Sequence, residues 1–327
     1  MATSMGELSV SPAVSVILPV LNEEAHLEES ILAILSQDYP GEFEVILAIG
    51  PSQDRTDEIA KSLSAKDQRV KLVANPSGKT ATGLNLAVAA STNPIIVRVD
   101  GHAKIPVNYL TLTVEIIEKT GAVNVGGVMA AEGVTIFEKA VARAMRSPLG
   151  VGASRFHTGG EAGEVDTVYL GAFKREAINQ AGGFDERYTR AQDWELNFRL
   201  RKNGGLIYFD PRLQVTYRPR SNLRKLAKQY FQYGTWRRVV SRSHSGTINL
   251  RYLAPPVTLI GCVFSVFGGS LIHPILYFPA MIYGVFIGLS AALISRSIRE
   301  FFSLLAIIPT MHFAWGAGFI TSTKTLR

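Results

Sequence analysis

Two short clusters in this chain carry side chains able to do chemistry. The first is Asp100-Gly101-His102, which ends the apolar run PIIVRV (94–99). It offers one carboxylate oxygen and one imidazole nitrogen, with a glycine between them that lets the backbone turn sharply. Such a pair suits a borderline divalent ion such as Mn2+, and Mg2+ less well. Two protein ligands cannot fill a six-coordinate site, so substrate phosphates would have to complete it. The plainer readings are a turn or helix cap for Asp100 and a solvated loop position for His102. The second cluster is Gln192-Asp193-Trp194-Glu195, which opens the helical pattern WELNFRLRKNG. An acid at a helix start commonly just caps it.

The segments that must hold these residues alternate in kind. Short apolar runs at 14–20, 43–49, 70–74, 94–100 and 122–128 are separated by helical patterns. That alternation predicts an α/β domain with a mostly parallel sheet and helices on both faces. Ligands of such sheets bind beyond the carboxyl ends of the strands, where Asp100 falls. One decoy lies nearby: KLVANPSGKT followed by IIVRVD mimics a phosphate-binding loop with its metal-holding aspartate. The motif needs a glycine five residues before Gly78, and that position is Val73, inside the strand. Residues 147–163, glycine-rich and without periodicity, read as a mobile loop or lid.

Composition limits the remaining possibilities. The chain has 327 residues, 47% apolar and 19% charged, so it is neither disordered nor fibrous. The single cysteine, Cys262, excludes an intramolecular disulfide framework and a cysteine-rich zinc site. Residues 1–13 hold no apolar run of signal-peptide length, and no cleaved signal is expected. Hydrophobicity is concentrated late. No Asp, Glu, Lys or Arg occurs from Tyr252 to Ser295 or from Phe301 to Thr321. Three membrane-spanning helices are expected, near 252–272, 274–294 and 301–321. Just before them, Arg199–Arg242 carries twelve Lys or Arg against one acid, Asp210. The positive-inside rule then places the soluble part in the cytoplasm, anchored to the plasma membrane by several passes. Arg296 and Arg299 agree, and with three passes the C-terminus falls outside. Anionic lipid is a nearer partner for this patch than nucleic acid, so no nucleic-acid partner is expected. Residues 222–240 put Leu223, Leu226, Tyr230 and Tyr233 on one stripe of a basic amphipathic helix, the kind that lies in a membrane interface.

The ordered set SVILPVLNEEAHLEESILAILSQDYP, DGH, GGFDE and QDWELNFRLRKNG resembles the family 2 glycosyltransferases of GT-A fold. Within them it is similar to a membrane-anchored subgroup that acts in succinoglycan synthesis. The resemblance covers about residues 14–240, and the C-terminal MHFAWGAGF is also similar. It implies a nucleotide-diphospho-sugar transferase domain with a Rossmann-like mixed sheet. It also implies an inverting reaction from a nucleotide-sugar donor, with a UDP-sugar expected and Mn2+ or Mg2+ as the metal. Asp100 matches the family's metal-binding acid, and His102 stands where a second acid is usual. Asp193 matches the general base, with Gln192 in place of a preceding Glu. Pro19, Asn22 and Glu23 match the donor loop, and Lys79 and Asn85 match positions near the nucleotide. Ile49 and Gly50 stand where an aspartate usually reads the base. Gln232, Trp236 and Arg237 resemble the Q-x-x-R-W motif of processive synthases, but Thr235 replaces its arginine, which favours single addition over polymerisation.

These readings divide the chain into a flexible tail (1–13), a GT-A catalytic domain (14–221), an amphipathic interfacial region (222–250) and a transmembrane region (251–327). The expected function is sugar transfer to a membrane acceptor, polyprenyl-linked, in cell-surface polysaccharide or glycolipid synthesis. The alternative is a membrane-anchored GT-A-like protein that binds without turnover.

Overall fold

The structure is a computed structural model and describes residues 11–326. The tail expected over 1–13 lies outside the described residues except for 11–13. In chain order the elements begin β1 (Val14–Val20), α1 (Leu27–Leu35), β2 (Phe43–Ile49), α2 (Thr56–Lys66), β3 (Val70–Ala74), α3 (Thr80–Ala90), β4 (Ile95–Arg98), α4 (Tyr109–Thr120) and β5 (Asn124–Ala131). There follow α5 (Ile136–Met145), α6 (Pro148–Val151), α7 (Arg155–Thr158), β6 (Gly163–Glu164), β7 (Tyr169–Lys174), α8 (Arg175–Gln180), α9 (Gln192–Lys202) and β8 (Ile207–Tyr217). The chain ends with α10 (Leu223–Ser243), α11 (Leu250–Leu271), α12 (Phe278–Ile294) and α13 (Ile298–Thr321). Two compact units result. The first runs through Gly127 and takes in Ala162–Glu186 and Leu196–Val215. The second takes Val128–Glu161, Arg187–Glu195 and the residues from Thr216 on.

The first unit is built on an eight-stranded sheet of order β3-β2-β1-β4-β7-β5-β8-β6. β1 pairs in parallel with β2 on one side and β4 on the other, and β2 pairs in parallel with β3. These strands are continuous apolar runs because helices cover both faces. Val14, Val16, Leu18 and Val20 of β1 are all buried. The sheet is mixed, as the resemblance implies: β7 runs antiparallel to both β4 and β5. The first three strands match the expected runs to the residue. The fourth pairs only over Ile95–Arg98, which leaves Asp100 in the loop beyond it.

A buried acid ties three strands together. Glu44 on β2 is 8% exposed. It accepts hydrogen bonds from Ser15 Oγ on β1 at 2.6 Å and from Lys71 Nζ on β3 at 2.7 Å. Burial pushes its carboxyl up, but the bonds from Lys71, Ser15 and the Thr92 N–H outweigh this and hold it below the usual carboxylate range. A group depressed in the folded state stabilises above its unfolded value, about 4.3, and ceases to as pH falls through the folded value.

The second unit contains three helices long and apolar enough to cross a membrane: α11, Pro274–Ile294 (a short 3-10 turn leading into α12) and α13. Outward-facing side chains such as Phe264, Leu271 and Leu293 are more than two-thirds exposed. α10 packs along α13 at glycine contacts. A Cβ on Gly234 would overlap the carbonyl oxygen of Trp315, and one on Gly318 would overlap that of Phe231. Small residues at such crossings let two helix backbones meet. The buried side of α10 therefore includes Leu226, Tyr230, Gly234, Trp236, Arg237 and Val240. Of the expected stripe, Leu226 and Tyr230 are buried, while Leu223 and Tyr233 are exposed. Residues 147–163 are also more ordered than expected. They form the one-turn helices α6 and α7, and the Ser147 hydroxyl accepts the Leu149 N–H at the head of α6.

Glu44→Gln should lower stability by about 1–3 kcal/mol at neutral pH, the cost of weakening a buried charged hydrogen-bond centre. The gap from wild type should close below about pH 4. Thermal unfolding in detergent across pH is the check, and a gap that persists at low pH would refute the assignment.

Candidate functional site

In open α/β sheets, ligands bind outside the carboxyl ends where the strand order reverses. Here the order runs β3-β2-β1 and then turns to β4, so the reversal lies between β1 and β4. The loop after β1 carries Asn22 and Glu23, and the loop after β4 carries Asp100, Gly101 and His102.

The two loops are joined directly. His102 Nδ1 lies 2.8 Å from Glu23 Oε1. A Cβ on Gly101 would sit 3.0 Å from Glu23 Cγ, so the glycine leaves room for the acid. The turn is closed by the Ala103 N–H donating to the Asp100 carbonyl at 2.9 Å. From α1, Ser30 donates its hydroxyl to the Ala103 carbonyl at 2.8 Å. On the strand side, Arg98 is 4% exposed and donates Nη2 to Asp100 Oδ1 at 2.9 Å and Nε at 3.2 Å. Arg98 is a site residue that the sequence reading missed. Its signal was a lone charge inside an apolar strand, which needs a partner when buried.

The loop after β1 is fixed to the loop after β2. Asn22 adopts φ 55°, a left-handed conformation in which asparagine is enriched. Its N–H donates to Ser52 Oγ at 3.1 Å, and its Oδ1 accepts the Gln53 N–H at 2.8 Å. The Glu23 N–H donates to Thr56 Oγ1 at 2.8 Å. Asp54, just before α2, accepts the Glu24 and Thr56 N–H groups. The hydroxyl of Thr56 is the largest cause holding the Asp54 carboxyl below its usual range. Gly50 donates its N–H to the Val20 carbonyl at 2.8 Å, and a Cβ there would stand 3.1 Å from Leu21 Cδ1.

The other expected donor positions fall on or beside these elements. Pro19 lies in β1, and Lys79 is the exposed residue just before α3. Asn85 is committed elsewhere. Its Nδ2 donates to the Phe184 carbonyl at 2.8 Å and to Glu186 Oε1 at 3.0 Å, and its Oδ1 accepts the Phe184 N–H at 2.8 Å. Asn85 thus braces the GGFDE segment. Hydrogen bonds from Asn85 and then Thr82 hold Glu186 below the usual carboxylate range.

The residues expected around the base lie in the second unit. Asp193 is half-buried in the first turn of α9, after Ala191, whose φ is 62°. Its neighbours are tightly held. The Arg237 guanidinium lies 4.0 Å from the Trp194 ring centre and 3.7 Å from that of Tyr252. Glu195, 1% exposed, lies 3.2 Å from His244 Nε2. Trp236 is buried against Tyr188, with ring centres 5.9 Å apart. Within the Q-x-x-R-W likeness, Trp236 and Arg237 are thus packed against rings, while Gln232 is half-buried on α10. Trp194, Glu195, Tyr252 and His244 carry no signal in sequence that they converge.

Among the described residues no group of three or more His, Cys, Asp or Glu is placed to hold a metal ion. Asp100 and His102 still fit a divalent ion. A carboxylate behind Nδ1 is the usual way of fixing an imidazole ligand, and two protein donors leave positions for diphosphate oxygens.

This α/β domain with its loops at the β1/β4 reversal is that of a GT-A glycosyltransferase. Residues 15–182 match the model of "Glycosyl transferase family 2", and the chain belongs to that family. It is 32% identical over 314 residues to the succinoglycan biosynthesis protein ExoA of Rhizobium meliloti (strain 1021), covering 93% of each chain. It is 26% identical over 251 residues to the dolichyl N-acetyl-alpha-D-glucosaminyl phosphate 3-beta-D-2,3-diacetamido-2,3-dideoxy-beta-D-glucuronosyltransferase of Methanococcus voltae, covering 74% of this chain and 77% of that one. In fold it is similar to the mannosyltransferase PcManGT from Pyrobaculum calidifontis, solved with GDP-Man and Mn2+. That match has TM-score 0.58 and 20% identity, over 95% of this chain and 89% of that one. The protein is a transferase, and a purely binding role is set aside.

Arg237→Leu should cost about 2 kcal/mol, since a desolvated cation on two rings is lost. Arg237→Lys should recover only part, because an ammonium cannot stack as a plane. A melting temperature unchanged in Arg237→Leu would show that the sandwich contributes nothing.

Proposed function

We propose that the protein is an inverting glycosyltransferase that moves a sugar from a nucleotide-diphosphate donor to a polyprenyl-linked acceptor, for cell-surface polysaccharide or glycolipid synthesis. The observation that carries this is the Glu23–His102 contact, which joins the β1 and β4 loops at the reversal of strand order. The donor reading places the diphosphate beside Asp100 and His102, with Pro19, Asn22, Glu23 and Lys79 around the nucleotide. Glu23 orients the imidazole, and Arg98 orients the Asp100 carboxylate. A divalent ion held by these two residues would supply charge neutralisation for the departing diphosphate. A UDP-sugar is the preferred donor. Ile49 and Gly50 offer no carboxylate to read the base, so base recognition comes from other groups.

Asp193 is assigned as the general base. Its carboxylate takes the proton of the acceptor hydroxyl while that oxygen forms the bond to the sugar's C1 and the bond from C1 to the diphosphate breaks. Inversion follows from attack opposite the leaving group. Support for a lipid-linked acceptor comes from the name of the Methanococcus relative, a dolichyl-phosphate sugar. The polysaccharide role is supported by the succinoglycan relative. The basic excess over Arg199–Arg242 favours a cytoplasmic catalytic region at the plasma membrane.

Asp100→Asn and Asp193→Asn should fail differently. The first weakens metal-dependent donor binding, and the second leaves donor binding intact while transfer falls by about 10²–10⁴. Donor titration with and without Mn2+, together with single-turnover transfer to a polyprenyl-phosphate sugar, would separate them. Equal donor binding by all three proteins would remove Asp100 from the site, and full transfer by Asp193→Asn would remove the base. A donor screen with UDP- and GDP-sugars decides the nucleotide.

A further inference from the structure

Of the three apolar helices, α13 is held differently from the other two. Its most apolar stretch is 39% buried, against 17% for each of the others. Leu304, Ile307, Ile308 and Met311 are fully buried. Both of its ends are also held by arginine. At the start, Glu300 Oε2 accepts Arg143 Nε from α5 at 2.8 Å. Past the end, Arg242 at the C-terminal end of α10 donates to the carbonyls of Ser322 at 2.8 Å and Lys324 at 3.0 Å. Between these points Ser322 Oγ donates to the Thr235 carbonyl at 3.2 Å, Arg238 lies 5.1 Å from the Phe319 ring centre, and Lys324 Nζ lies 4.9 Å from that of Trp236.

α5 and α10 both precede α11, and no candidate span lies in the segment that joins them. They therefore share one side of the membrane. A helix of 24 residues is about 36 Å long, enough to separate its ends by the roughly 30 Å of hydrocarbon. If α13 crossed, Arg143 and Arg242 would each have to reach its ends from opposite faces. Otherwise the half of α10 bearing Arg237, Arg238 and Arg242 would sit in hydrocarbon, where arginine is strongly disfavoured. We propose that α13 does not cross the membrane. In this arrangement α11 and α12 form a two-pass hairpin, and α13 lies on the face that carries α5 and α10. The C-terminus then shares a compartment with the segment that holds Asp193, whichever side that is. This replaces the three-span expectation, which hydropathy and length alone produced. α13 is apolar because it covers α10 and α5 as well as meeting lipid.

The test uses the full chain with Cys262→Ser and single cysteines at Lys61→Cys, His273→Cys and Lys324→Cys. A membrane-impermeant maleimide is applied to right-side-out and inside-out vesicles. Lys324→Cys should label from the same face as Lys61→Cys and from the face opposite His273→Cys. In the same background, Arg242→Cys paired with Ser322→Cys should be joined by a short bis-methanethiosulfonate cross-linker that spans the reach of the lost arginine side chain, read by mass spectrometry. Labelling of Lys324→Cys together with His273→Cys would overturn the proposal. So would failure of the 242–322 pair to cross-link in protein whose Lys61→Cys labels normally.

Discussion

The parallel pairing of β1 with both β2 and β4 is the constraint on which the first unit depends. It makes β1 the strand at which the winding reverses, so the loops leaving β1, β2 and β4 emerge as neighbours. Each loop alone is a short polar segment with no reason to hold a shape. Side by side they satisfy one another: Asn22 with Ser52 and Gln53, Glu23 with Thr56 and His102. The polar groups of these loops are fixed before any ligand arrives, and that preorganisation is what a donor site requires.

The second unit is organised by α10. One side of this helix closes on α13 through glycine contacts, and Trp236, Arg237 and the capping His244 reach the segment 188–195. The residues on either side of this grip differ in character. Arg237 is buried on aromatic faces, which suits a weakly hydrated planar cation. Arg224, Lys225 and Lys228 remain on the exposed surface. One helix thus carries both a packing role and a basic face, and the sequence stretch looks uniformly basic because composition cannot separate them.

Much of the site was legible and some was not, for definite reasons. Asp100 and Asp193 stood out as candidates because an acid at a strand end or a helix start interrupts a periodic pattern. Arg98 was visible only as an anomaly, since nothing local says that its partner is two residues on. The bracing role of Asn85 was not legible because its partners, Phe184 and Glu186, are about a hundred residues away in sequence. The loop over 147–163 looked structureless because one-turn helices such as α6 and α7 are too short to show a period.

The sequence by itself determined the strand boundaries of β1, β2 and β3, the α/β alternation, the order of the acidic motifs and the existence of three long apolar helices. These are local properties, set by side-chain period and by where an apolar run stops. Only the tertiary structure decided which loops share an edge, that Glu23 stands behind His102, that Arg237 is buried against two rings, and that both ends of α13 are tied to arginines of helices preceding α11. Hydropathy measures how much apolar surface a helix has. Whether lipid or protein covers that surface depends on residues far away in sequence.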